Sequence, residues 1–80
     1  MICSYECTFC RDCVTAHLND VCPNCGGGLA PRPIRPSVER RPGLSLAHQP
    51  PSDRRVRLSY DVENIAAFVA ATKDISPERR

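Results

Sequence analysis

Six cysteines lie within the first 25 residues of this 80-residue chain, and none follows them. They are Cys3, Cys7, Cys10, Cys13, Cys22 and Cys25. Cys10 with Cys13, and Cys22 with Cys25, form two-residue knuckles, in which both sulfurs of a pair can face one tetrahedral metal ion. The apolar residues between the cysteines are too few to fold this segment by burial alone. The sequence therefore predicts a small module that depends on bound Zn²⁺ for its compactness.

Disulfide bonds are the alternative way to cross-link these cysteines, and they belong to oxidising compartments. The start of the chain, Met1–Glu6, lacks the basic residues and the apolar run of a secretory signal peptide. No stretch of the sequence has the length of apolar residues that a membrane span requires. We therefore expect a protein of the reducing cytoplasm, whose cysteines bind metal.

Composition divides the chain into a cysteine module (residues 1–29), a linker (30–57) and a C-terminal segment (58–80). The linker holds six of the eight prolines and has seven arginines against two acidic residues. Proline without a periodic apolar pattern favours an extended, disordered segment. The same arginines are the basis of an alternative, a nucleic-acid interface, although no aromatic residue is interleaved with them for base stacking. They are Arg32, Arg35, Arg40, Arg41, Arg54, Arg55 and Arg57.

One short amphipathic helix is predicted over residues 61–73. Asp61 is a suitable N-cap, and Lys73 fits the last turn before Pro77. Apolar residues recur at three- and four-residue spacing between these ends, at Val62, Ile65, Ala66 and Val69, with Phe68 at the edge of the stripe. Such a stripe needs a surface to pack against. The sequence leaves open whether that surface is the cysteine module, a second copy or a partner.

Within the cysteine module, residues 12–18 are expected to form a short helix with Val14 and Leu18 on one face. His17 would lie on this helix and face solvent rather than bind the metal. The glycine after the last knuckle suits a backbone with positive φ, which lets amide groups turn toward the sulfurs.

Six sulfurs complete one four-coordinate site and leave two over. In a nested arrangement Cys10, Cys13, Cys22 and Cys25 form the site. In an interleaved arrangement Cys3 and Cys7 join Cys22 and Cys25, and Cys10 with Cys13 form half of a second site. Both arrangements satisfy the spacing rules.

The cysteine pattern resembles the last three ligand pairs of a RING-type cross-brace finger. The likeness includes Phe9 before one pair, Val14 after it and Pro23 inside the last knuckle. Residues 2–36 also resemble a family of short bacterial cysteine-rich proteins of unknown function. Members of that family carry a further Cys-x2-Cys pair upstream, so we expect either a truncated form or a start assigned too late. The resemblance implies the interleaved site, with Cys10 and Cys13 lacking their partners.

These observations together predict a small metal-stabilised α+β zinc finger, RING-like or treble-clef-like, followed by a disordered linker and one short C-terminal helix. We expect a structural zinc protein that contacts another protein and is not an enzyme, because no open coordination position with a general base is evident. Ubiquitin-ligase activity is not implied, since the first ligand pair and any Trp are missing. A thiol redox or zinc-handling role for Cys10 and Cys13 is a further alternative.

Overall fold

The computed structural model describes residues 1–54 and 56–80, so the part of the basic-linker prediction that concerns Arg55 lies outside the described residues. Its helical elements are α1 (Arg11–Cys13), which continues as a π-helical turn (Val14–Leu18), α2 (Val62–Thr72) and a 3₁₀ turn (Pro77–Arg79). No helix among the described residues is long and apolar enough to cross a membrane.

The β part of the predicted α+β fold is reduced to isolated bridges in the described residues. Ile2 pairs in antiparallel fashion with Thr8 on one side and with Ala30 on the other. The N–H of Ile2 donates to the Ala30 carbonyl at 2.7 Å, and the N–H of Ala30 returns a bond to the Ile2 carbonyl at 3.0 Å. The backbone at Ile2 thereby lies between Thr8 and Ala30 and joins the start of the cysteine module to its end.

α1 and the π-helical turn form the helix that the sequence predicts within the cysteine module, with one more residue at its start. Cys10 is the N-cap, and its sulfur accepts the N–H of Cys13. Val14 and Leu18 are buried on one face, as predicted. The helix ends because Asn19 adopts the left-handed conformation, which a short polar side chain tolerates.

α2 confirms the predicted C-terminal helix. Asp61 caps it through a 2.7 Å hydrogen bond from the Asn64 N–H to its carboxylate, and Lys73 closes it. The apolar stripe is only partly buried. Val69 is 3% exposed, and Ile65 packs against the core, but Val62 at the first turn is 82% exposed.

The surface that α2 packs against is the cysteine module. Val69 belongs to one core cluster with Cys3, Val14, Leu18, Val21, Cys22 and Leu29. The C-terminal turns dock beside it. The Arg80 guanidinium donates to the Asp20 carbonyl at 2.7 Å, and the Asp20 carboxylate accepts the Leu29 N–H at 2.8 Å. Residues far apart in sequence therefore share one small core.

The linker contains no helix or strand among residues 30–54, 56 and 57, and almost all of it is exposed. The radius of gyration is 15.1 Å, against about 11.6 Å for a compact chain of this length, so the chain extends well beyond its core. Within the linker, hydrogen bonds close a loop from Pro36 to Leu46, and the buried Ser45 hydroxyl lies 3.0 Å from His48 Nδ1. The predicted disorder of this segment stays a prediction.

Candidate metal centre

Three cysteine sulfurs lie close together in the core. The Sγ atoms of Cys3, Cys7 and Cys22 all lie within 4.8 Å of one another. Cys3 and Cys22 are buried, and Cys7 is half-buried. This grouping supplies three of the four ligands that the interleaved arrangement requires.

Local backbone conformation explains why the three sulfurs converge. Between Cys3 and Cys7 the chain turns back at Glu6, whose φ is +66°, and the Glu6 N–H donates to the Cys3 carbonyl at 2.9 Å. The last knuckle turns at Gly26, whose φ is +79° and whose N–H donates to the Cys22 carbonyl at 2.7 Å. The glycine at this position has the positive φ that the sequence predicts. The two turns present their cysteines to the same space.

Backbone N–H groups point at the sulfurs of this cluster. The N–H groups of Tyr5 and Cys7 donate to Cys3 Sγ, and the Cys3 thiol also shares hydrogen bonds with the thiols of Cys22 and Cys7. Burial acts to raise the pKa of Cys3, but these hydrogen bonds outweigh it and lower that pKa to about 7. The site therefore already favours a thiolate at Cys3.

Cys22 behaves in the opposite way. Burial raises its pKa to about 12, in spite of backbone hydrogen bonds from Asn24 and Cys25, and the thiols of Cys25 and Cys3 add to the rise. A second thiolate beside Cys3 is disfavoured because like charges repel in a buried place. A cation among the sulfurs removes this penalty, because its positive charge stabilises the neighbouring thiolates.

The fourth candidate ligand, Cys25, lies at the edge of the cluster. Its thiol is hydrogen-bonded to Cys22, and its sulfur accepts the Gly27 N–H at 3.4 Å. It is exposed and does not fall within the group of three sulfurs. Closing a four-sulfur site therefore requires the Cys25 side chain to move toward the other three sulfurs.

Cys10 and Cys13 stand apart from this cluster as an exposed pair. Hydrogen bonds from Cys13 lower the pKa of Cys10, and the neighbouring Cys10 raises the pKa of Cys13. Among residues 1–54 and 56–80, the structure does not bring them into a group of three metal-ligating side chains. His17 is exposed, as predicted, and joins no such group.

Two contacts around the site were not evident in the sequence. The Asn24 side-chain amide donates to Cys7 Sγ at 3.5 Å, across the two ligand pairs. Phe68 of α2 covers the last knuckle so closely that a Cβ added at Gly26 would lie 3.2 Å from the Phe68 ring. The polar residue inside a Cys-Pro-Asn-Cys knuckle is a signal for the first contact. The second depends on helix docking, which the sequence left open.

The spacing of the three sulfurs is compatible with a tetrahedral metal ion such as Zn²⁺. Four thiolates at about 2.3 Å from Zn²⁺ lie about 3.8 Å from one another. The three clustered sulfurs, all within 4.8 Å, reach this spacing by contracting about 1 Å or less. Sulfur-only ligands also suit zinc better than magnesium or calcium, which take oxygen.

Residues 1–35 match a family described as protein of unknown function (DUF1272). An uncharacterised protein of Rhizobium meliloti (strain 1021) is 57% identical over 37 residues, which are 46% of this chain and 44% of that protein. The chain thus spans less than half the length of this curated relative. No solved structure matches the chain. These matches support the predicted resemblance to a bacterial family of unknown function, over the cysteine module.

Proposed function

We propose that this chain is a small structural zinc protein in which Cys3, Cys7, Cys22 and Cys25 bind one Zn²⁺. The observation that carries the proposal is the meeting of three cysteine sulfurs from both ends of the module in one partly buried cluster. Cys25, hydrogen-bonded to Cys22, is the nearest candidate to complete it.

The metal would supply the stability that the core lacks. Two of the seven residues in the core cluster, Cys3 and Cys22, are themselves proposed ligands. Structural zinc sites contribute an apparent binding free energy of roughly 10–16 kcal/mol at pH 7, which acts as folding free energy. Without the ion, burial makes ionisation of Cys22 unfavourable. We therefore expect the module to unfold when the metal is removed.

The ligand set favours a structural role over a catalytic one. A catalytic zinc keeps an open position for water or substrate, whereas four thiolates close the coordination sphere. That the metal site itself is not catalytic is part of the proposal. Sharing of one ion between the first and last pairs, with α1 between them in sequence, supports an interleaved, RING-like finger as its topology.

The partner we propose for the module is another protein. Tyr5, in the turn between Cys3 and Cys7, is 77% exposed, and tyrosine is enriched at protein interfaces. We retain the cytoplasm as the proposed location, where thiols stay reduced and able to bind zinc.

Metal analysis of a Cys→Ser series tests the ligand assignment. The protein is purified under reducing conditions, and its zinc content is measured by elemental mass spectrometry. We expect one zinc ion per chain in the wild-type protein. Replacing Cys3, Cys7, Cys22 or Cys25 should abolish zinc binding or strongly lower the zinc affinity. The matched controls Cys10→Ser and Cys13→Ser remove exposed thiols and should keep the zinc.

Two results contradict this proposal. Retention of zinc in Cys3→Ser and Cys7→Ser, with loss in the two control variants, selects the nested site instead. If the cysteine module of the reduced, metal-free protein stays fully ordered, the module does not require a metal ion to fold.

A further inference from the structure

Cys10 and Cys13 form an exposed pair of thiols outside the proposed zinc site. Cys10 Sγ accepts the Cys13 N–H at 3.4 Å, and hydrogen bonding with Cys13 lowers the pKa of Cys10. Two accessible sulfurs held this close on one turn need only a small movement to form a disulfide. Nothing in the proposed zinc site requires them.

An apolar groove borders this pair of cysteines at Cys13. Cys13 lies in its wall, together with Phe9 of the module, Leu58, and the α2 residues Val62 and Ile65. The groove has a volume of 330 Å³ and lies where α2 docks on the module. The exposure of Val62, which the stripe pattern alone does not predict, leaves one side of this groove open.

We propose that Cys10 and Cys13 are a redox-active dithiol that reduces disulfides bearing an apolar or aromatic substituent. This activity goes beyond the structural zinc site and uses none of its four ligands.

The reaction balances as two thiol–disulfide exchanges. The Cys10 thiolate attacks one sulfur of the substrate R–S–S–R, so that a Cys10–S–S–R bond forms, the R–S–S–R bond breaks and RS⁻ leaves. The Cys13 thiol passes its proton to this leaving group. The Cys13 thiolate then attacks the Cys10 sulfur and releases the second RS⁻, which takes up the Cys10 proton lost to solvent. The dithiol is oxidised by two electrons, and the substrate disulfide is reduced to two thiols.

Geometry assigns the order of the two sulfurs. Cys10 is the N-cap of α1, and its sulfur accepts the Cys13 N–H; a donor in this position stabilises a thiolate. Cys13 has the complementary place for the resolving step, since it follows Cys10 by three residues on the same helical turn. Because the neighbouring Cys13 lines the groove, an R group on Cys10 can reach its apolar side chains, which favours apolar substituents.

The test uses the full zinc-loaded chain with one equivalent of 2,2′-dithiodipyridine, a neutral aromatic disulfide. Absorbance follows thiopyridone release, a chromophoric indicator follows zinc, and intact mass reports adducts. We expect both leaving groups to be released per chain, a final internal disulfide and full retention of zinc. Trypsin cleaves after Arg11, so a Cys10–Cys13 disulfide joins two peptides that separate on reduction.

Matched variants separate the two steps. Cys13→Ser should release a single thiopyridone and keep one pyridylthio group on Cys10, whereas Cys10→Ser should react several-fold more slowly. Val62→Ser changes an exposed side chain of the groove. It should slow the reaction with dithiodipyridine several-fold and leave the reaction with oxidised glutathione, a charged and polar disulfide, unchanged.

The proposal is overturned if the Cys10→Ser/Cys13→Ser double variant reacts at the wild-type rate. It is also overturned if zinc is released in step with thiopyridone, because the reacting sulfurs are then the metal ligands, or if the double variant loses its zinc. Equal slowing of both disulfides by Val62→Ser removes the apolar selectivity. A chain that binds no zinc yet forms the Cys10–Cys13 disulfide would refute the zinc site alone.

Discussion

Replacement of Gly26 by alanine tests the knuckle geometry on which the zinc site depends. Gly26 has φ +79°, and an L-residue in the left-handed region costs about 1–2 kcal/mol. The added Cβ would lie 3.2 Å from the Phe68 ring. That ring is 37% exposed and can shift slightly, so the contact adds only about 0.5 kcal/mol.

The sum is about 1.5–2.5 kcal/mol, which corresponds to a roughly ten- to seventyfold weaker apparent zinc affinity if metal binding and folding are coupled. The assay is competition for zinc with a chromophoric chelator at fixed pH under reducing conditions. Gly27→Ala is the matched control, because Gly27 is not among the residues with positive φ and its Cβ would make an ordinary 3.4 Å contact with Cys25 Sγ.

Addition of Phe68→Ala to the Gly26→Ala variant should relieve only the smaller, steric part of the loss. Zinc affinity within threefold of wild type in Gly26→Ala, or an equal loss in Gly27→Ala, refutes the argument from backbone conformation.

Three other changes have defined outcomes. Val69→Ala empties a position that is 3% exposed and should cost about 1–3 kcal/mol in thermal unfolding of the zinc-loaded protein, whereas Val62→Ala, at an 82% exposed position, should cost almost nothing; equal effects would mean that α2 is not docked. Zinc affinity should fall with decreasing pH throughout and more steeply below about pH 7, because protons compete with the metal at Cys22, whose pKa is about 12, over the whole range and at Cys3, whose lowered pKa is about 7, below that value; a chelator titration between pH 5.5 and 8 checks this, and a flat profile contradicts it. Glu6→Gly places glycine at φ +66° and should leave stability unchanged or raise it by up to about 1 kcal/mol in denaturant unfolding, while a clear loss would contradict the turn geometry.

The C-terminal helix shows how far local signals reach. Asp61 and Lys73 mark its ends because capping depends on the residues at the termini, and the structure has α2 at Val62–Thr72 between them. Burial along the stripe was less predictable. Val69 is buried and Val62 is exposed, since the angle at which the helix meets the module decides which part of the stripe is covered.

The aromatic residues give a second example. From the sequence alone, packing in the core or the knuckles is the default expectation for Tyr5, Phe9 and Tyr60. Phe9 does pack against the core, but Tyr5 is exposed. The turn at Glu6 decides this, because its positive φ reverses the chain and carries Tyr5 outward. Nucleic-acid binding by the arginine-rich linker stays an untested alternative, and the absence of enzymatic activity stays a prediction.

The sequence by itself determined that sulfur chemistry dominates the first third of the chain, and it determined where both helices lie. Cysteine spacing and helix caps are short-range properties, so they can be recognised without tertiary contacts. Only the tertiary structure decided which cysteines meet. The pairing of Ile2 with Thr8 and Ala30 brings Cys3 and Cys7 to Cys22 and leaves Cys10 with Cys13 at the surface, because the grouping depends on long-range backbone pairing that spacing does not encode.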